Sequence, residues 1–122
     1  MSETIIDKAA LERLLDVIGG ESEDLQELID DFIDNAPNLA GKIESAGGAG
    51  DWDSVRIAAH TLKSNARDFG AIQLADLCAS LEQQCKDQAL ETPEITIAMI
   101  VEQEQKAREA LTSLRVEDIG PG

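Results

Sequence analysis

The run Val55-Arg56-Ile57-Ala58-Ala59-His60-Thr61-Leu62-Lys63-Ser64-Asn65-Ala66-Arg67-Asp68-Phe69-Gly70-Ala71 decides the fold, because one helical phase divides it into two faces. Advancing about 100° per residue from Val55, the side chains of Ala59, Leu62, Ala66 and Phe69 fall within roughly 40° of it and form an apolar seam. On the same wheel Lys63, Arg56, Arg67 and His60 lie at about 80°, 100°, 120° and 140°, with Ser64 near 180°. The spacing predicts an amphipathic helix that buries the seam. It turns His60, the single histidine of the chain, toward solvent among basic residues.

Similar seams extend to both sides. A first helix is expected over residues 4–18, with Leu11, Leu14, Leu15 and Ile18 on one face and Gly19-Gly20 as its stop. A second starts near Ser22, with Glu23 and Asp24 at its positive end, and carries Leu25, Leu28, Ile29, Phe32, Ile33, Ala36, Leu39, Ala40 and Ile43. Pro37 falls inside that pattern, so the helix either kinks there or divides near Asn35, and the kink is preferred. Residues 46–50, Ala-Gly-Gly-Ala-Gly, read as a flexible turn, after which Asp51 can cap a third helix running to about Asp68.

Gly70 breaks the phase. A fourth helix from Ala71 to Lys86 would turn Leu74, Leu77, Cys78, Leu81 and Cys85 inward. After a loop at 87–93, Thr92 can cap a fifth helix with Pro93 at its first position. That helix runs to about Arg115 and buries Ile97, Ile100, Val101, Ala107, Leu111 and Leu114. The expected architecture is all-α: an antiparallel four-helix bundle with a short N-terminal capping helix, one domain over residues 1–116 and a frayed tail at 117–122.

At 122 residues the chain matches a single domain and leaves no room for a nucleotide-binding kinase domain beside it. Its net charge of −15 opposes binding to nucleic acid or an anionic membrane surface. Yet Arg56 to Arg67 holds cations and no acid, so the histidine face is locally positive on an acidic body. Cys78 and Cys85 lie about 10.5 Å apart along one helix axis, too far for a disulfide, and read as core thiols of a reducing compartment. No apolar run approaches the roughly 20 residues of a membrane span, and the N-terminus lacks a signal-peptide pattern, which points to the cytoplasm.

Nearby positive charge disfavours protonation of an imidazole and leaves a neutral nucleophile, while the same charge would stabilise a phosphoryl group placed on it. Metal binding fits poorly. The residue three before His60 is Ile57, not glutamate, and one histidine with two core cysteines supplies neither a zinc tetrad nor a di-iron site. There is no G-x-S-x-G elbow, and Gly47, Gly48 and Gly50 lack the Lys-Ser/Thr of a phosphate loop.

Ala59, His60, Leu62, Lys63, Gly70 and Ala71 stand in the register of the Ala-His-x-Leu-Lys-Gly-Ser-x-x-x-x-Gly-Ala signature, followed by Leu74, Leu77, Cys78, Leu81 and Glu82. The segment resembles histidine-containing phosphotransfer (HPt) domains. Ser64 stands where that family usually has glycine, and Asn65 follows it. The resemblance implies a four-helix bundle in which His60 carries a phosphoryl group between receiver-domain aspartates of a two-component phosphorelay, one receiver often belonging to a hybrid sensor histidine kinase. It implies a carrier, not an enzyme, that needs no cofactor of its own, with Mg²⁺ on the receiver. Lys63 and Arg67 would stabilise phosphate, Ser64 would permit close approach, and apolar residues bordering the histidine would form the docking patch. By the same resemblance Glu82 orients the ring through Nδ1–H. The residues alone equally fit an ordinary exposed acid there, and Gln83 or Gln84 would serve if the helix phase shifts by one. A monomer is expected, because the histidine face must stay open. The alternative is a non-phosphorylated acidic adaptor, which would tolerate loss of His60.

Overall fold

The computed structural model describes residues 5–119 and contains five helices: α1 (Lys8–Val17), α2 (Ser22–Gly48), α3 (Trp52–Asp68), α4 (Ile72–Asp87) and α5 (Pro93–Ser113). A short 3-10 turn, Val116–Asp118, follows. Helices α2 to α5 form a closed ring in which α2 packs on α3, α3 on α4, α4 on α5 and α5 on α2. The remaining helix, α1, lies against α2 and α3. This is the expected all-α bundle with its N-terminal addition.

Each helix buries the seam read from its sequence. Val55, Ala59, Leu62, Ala66 and Phe69 are all buried, joined by Leu25, Ile29, Phe32, Ala36, Ala40 and Ile43 from α2. Phe32 and Phe69 meet with ring centroids 4.9 Å apart, pinning α2 to the end of α3. Leu14, Ile18, Leu28, Ile33, Leu39, Leu77, Cys85 and Leu114 are only partly buried at the core margin, and Val101 is likewise only half-buried, its expected inward place on α5 being taken by Glu104.

Four of the sequence expectations about element ends are corrected. The first helix begins at Lys8, where the Asp7 carboxylate accepts from Ala9 N at 3.1 Å; Ile5 and Ile6 precede it, and Thr4 lies outside the described residues. Pro37 is not among them, since α2 runs through it without dividing near Asn35, the lost backbone donor being offset by the long buried seam on either side. Residues 46–48 extend α2 and only Ala49-Gly50 turn. A Cβ on Gly47 would stand 2.6 Å from Ile97 Cδ1, so the glycine there lets α5 approach closely. Thr92 does precede α5, but with φ of 42° and without a side-chain cap; its carbonyl accepts from Ile95 N and Thr96 N instead. Finally, the tail is not frayed through residue 119. Val116 and Ile119 are buried and the 3-10 turn packs on α2, while residues 120–122 lie outside the described residues.

Candidate functional site

The site is built on the α3–α4 hairpin. Gly70 adopts φ of 78°, its amide bonds to Arg67 O, and Ala71 N donates to Ala66 O at 2.8 Å, closing α3 and launching α4 back along it. The same glycine accepts from Asp7 N at 2.8 Å, which ties the segment before α1 to the turn. This reversal sets the middle of α4 beside the middle of α3.

His60 projects from α3 with its side chain 59% exposed, and Glu82 faces it from α4 with only 5% exposure. The two meet through His60 Nδ1 and Glu82 Oε2 at 2.8 Å. An ionised carboxylate only accepts, so Nδ1 carries the hydrogen and Nε2 holds the free lone pair. Among the described residues no protein group hydrogen-bonds Nε2.

Two lysines hold the carboxylate. Lys63 Nζ donates to Oε1 at 2.6 Å and Lys86 Nζ pairs with Oε2 at 3.2 Å. Burial works to raise the Glu82 pKa, but hydrogen bonds from Lys63, Lys86 and His60 prevail and lower it to about 2. Glu82 is therefore an anion throughout the neutral range. Beneath it Cys78 is pushed up to about 12 by burial and by the Glu82 charge, against the opposing effect of Lys63. That thiol stays protonated and is no nucleophile.

The sequence-derived residues are thus partly assembled. His60 is solvent-facing as the helical wheel requires, and Glu82 is the residue on its Nδ1. Gln83 and Gln84 are engaged elsewhere, with Asp87 and Ser80. Lys63 turns to Glu82 instead of standing free beside the imidazole. Arg67 is exposed farther along α3, lining a cleft with Ala10, Arg13, Leu14, Val17 and Asp68 at the α1 side. Arg56 lies at the other end of the hairpin, close enough to Cys85 to lower its pKa against the stronger effect of burial. Ser64 is exposed, without a side-chain hydrogen bond among the described residues.

Lys86 was not read from the sequence. Its signal was the four-residue spacing from Glu82, which places an acid and a base on one helix face. A second buried acid, Glu104 on α5, pairs with Arg108 at 2.9 Å and has the same spacing.

Fold and site together define a helical-bundle module that presents one histidine nitrogen to solvent and fixes the other from behind. The chain matches the Hpt domain family over residues 27–116 and belongs to that family, the histidine phosphotransfer domains of phosphorelays, which are phosphoryl carriers. It is 28% identical over 120 residues to the sensory/regulatory protein RpfC of Xanthomonas campestris pv. campestris, in two strains. That alignment takes in 98% of this chain but 16% of RpfC, so the chain spans about a sixth of the length of the curated relatives it matches. The crystal structure of histidine-containing phosphotransfer protein B from Pseudomonas aeruginosa superposes with a TM-score of 0.81 at 23% identity, covering 91% of this chain and 94% of that one. The HPT domain of a sensor hybrid histidine kinase from Shewanella gives 0.72 at 22% identity, covering 87% and 93%. No helix among the described residues is long and apolar enough to cross a membrane.

Proposed function

We propose that His60 is the phosphoacceptor of this domain, taking a phosphoryl group from the phosphoaspartate of one receiver domain and passing it to the aspartate of another. The observation that carries the assignment is the pairing of an exposed His60, free at Nε2, with an ionised Glu82 on Nδ1. Nε2 attacks phosphorus in line, the aspartyl oxygen leaves, and Nδ1 keeps its hydrogen against Glu82 throughout. No proton needs to move. Glu82 thus serves as the positioning group, and Lys63 keeps it charged. Arg67 and Ser64 border the approach path of the partner and contribute charge and clearance to it.

On this reading the chain needs no cofactor of its own, and the Mg²⁺ of the transfer belongs to the receiver. A receiver domain and a hybrid sensor kinase are the partners, in keeping with RpfC being named a sensory/regulatory protein and with the Shewanella domain coming from a hybrid histidine kinase. The protein acts as a cytoplasmic monomer, and its −15 charge keeps it off nucleic acid and anionic membranes.

The test is transfer from a panel of phosphorylated receivers to wild type and to His60→Gln, with detection of acid-labile, base-stable phosphate. Label on wild type alone is expected. Label on both would put the acceptor elsewhere, and label on neither would favour an adaptor that binds without accepting phosphate.

A further inference from the structure

We propose that Lys86 is a positioning residue that acts through Glu82: by sharing Oε2 with the Nδ1–H of His60, it weakens the hold of the carboxylate on that proton and lengthens the life of the phosphohistidine. This rests on His60 being the phosphoacceptor.

The two oxygens of Glu82 are divided unequally. Oε1 is taken by Lys63 alone, at 2.6 Å, whereas Oε2 serves both the imidazole at 2.8 Å and Lys86 at 3.2 Å. The two lysines also differ in setting. Lys63 is 16% exposed and comes from the facing helix, while Lys86 is 50% exposed and comes from one turn beyond Glu82 on the same helix. Lys63 is thus built into the interface, and Lys86 is an adjustable second donor at the oxygen that matters to the ring. The other charged or titratable groups at this corner are Asp53 and Arg56 on α3 and Cys78 and Cys85 on α4. Among the described residues α5 contributes no polar partner to Glu82.

The consequence lies in the leaving group. In the Nε2-phosphorylated ring with Nδ1 protonated, the ring carries a positive charge. When the N–P bond breaks, its electron pair returns to Nε2, phosphorus bonds to a receiver carboxylate or a water oxygen, and the ring departs as neutral imidazole. If Nδ1 has lost its proton, the ring must depart as imidazolate, a far poorer leaving group. A strong, undivided acceptor at Oε2 therefore makes the phosphohistidine labile. Lys86 draws on the same lone pairs, and its positive charge opposes the cationic ring. Both effects favour the deprotonated, longer-lived form. Because Lys86 is half exposed, solvent and salt screen it and the effect is modest.

The experiment compares wild type, Lys86→Met, Glu82→Gln and the double variant. Each is phosphorylated from a receiver charged with acetyl phosphate, and its decay is followed between about pH 5 and 9. Lys86→Met is expected to decay about threefold faster at neutral pH, with its profile moved upward by about half a pH unit. In the Glu82→Gln background the Lys86 substitution should change decay far less, since only its screened charge still acts on the ring. Slower decay in Lys86→Met, or an equal effect in both backgrounds, would mean that Lys86 does not act through Glu82 and would overturn the proposal. A second readout needs no phosphate: solvent exchange of the His60 Nδ1 proton in the unmodified protein, observed by nitrogen-15 NMR, should slow in Lys86→Met. Unchanged exchange with label present would sink the Lys86 coupling alone. Slowed exchange with no label on wild type would sink the phosphoacceptor assignment, and the lifetime effect with it.

Discussion

His60 Nδ1 and Glu82 Oε2 stand 2.8 Å apart across the α3–α4 interface, and the same carboxylate holds the ammonium of Lys63 at 2.6 Å. One side chain therefore both orients the imidazole and neutralises a lysine that is largely withdrawn from water. Glu82→Ala removes both functions. Phosphoryl acceptance by His60 should fall about 10- to 100-fold, the usual scale for losing the partner that fixes a functional histidine. Unfolding free energy should fall by about 1–3 kcal/mol, because Lys63 is left without its acceptor. Single-turnover transfer and urea unfolding read the two effects separately. A loss of stability with an undiminished rate would make Glu82 a structural residue only.

The depressed pKa of Glu82 gives the stability a defined acid limb. Its folded value, about 2, lies below the ordinary 4.5 of an unfolded glutamate, so the native state binds fewer protons at this site. The contribution is complete above about pH 5 and is lost as pH falls toward 2, by about 1–3 kcal/mol. Many other acids titrate over the same range, so the informative quantity is a difference. The stability gap between wild type and Glu82→Gln should narrow on acidification from pH 6 to about pH 2. A gap that stays constant would show that the Lys63 and Lys86 pairings do not distinguish the charged carboxylate.

Much of this arrangement was legible because helical period is a strong signal. The phase that buries Val55, Ala59, Leu62 and Ala66 also exposes His60, so the bundle and the orientation of its histidine come from one pattern. Glu82 was indicated by the family resemblance alone, because the hairpin at Gly70 sets α4 beside α3 but leaves open whether residue 82, 83 or 84 meets the ring. The readings that failed depend on tertiary contacts. A glycine-rich run at 46–50 signals a turn by propensity, yet Gly47 stays helical against Ile97, Trp52 and Val55. Residues 116–119 form too short a segment to show any period, and among the described helices it is α2 that the Val116–Asp118 turn packs on. Lys63 pointed outward on the wheel, but its long side chain bends to the facing carboxylate, a choice no single-helix projection contains.

Gly70 should tolerate no side chain. Its φ of 78° is costly for alanine, and an added Cβ would collide with the backbone of Asp7, which cannot rotate away. Gly70→Ala should lower stability by about 2–4 kcal/mol and loosen the Asp7–Gly70 bond. By contrast Gly41→Ala, within α2 with open space around it, should stabilise by about 0.5–1 kcal/mol. Thermal denaturation of the two variants checks the opposite signs, and equal responses would refute the argument.

The packed tail makes its own prediction. Ile119 is 1% exposed and the turn before it rests on α2, so Ile119→Ala should cost about 2–4 kcal/mol. Glu117→Ala, at an exposed neighbouring position, should change stability by less than about 0.5 kcal/mol. If urea unfolding finds Ile119→Ala as mild as Glu117→Ala, the turn does not belong to the folded core.

Docking should depend on Ile57. This isoleucine is 54% exposed, sits three residues before His60 on the same helix and offers its carbonyl to Thr61 Oγ1, so the apolar side chain borders the imidazole one turn away. A receiver that brings its phosphoaspartate in line with Nε2 must cover this neighbourhood and exclude water from it. Ile57→Glu would place a charge in that contact and should slow transfer about 10-fold by weakening the encounter complex, leaving stability within about 0.5 kcal/mol. Ile95→Glu is the matched control. Ile95 is 56% exposed at the start of α5, a helix that packs on α2 and α4. Its substitution should leave transfer unchanged at every receiver concentration. Equal slowing by both variants would mean that added negative charge, and not an apolar contact beside His60, governs the encounter.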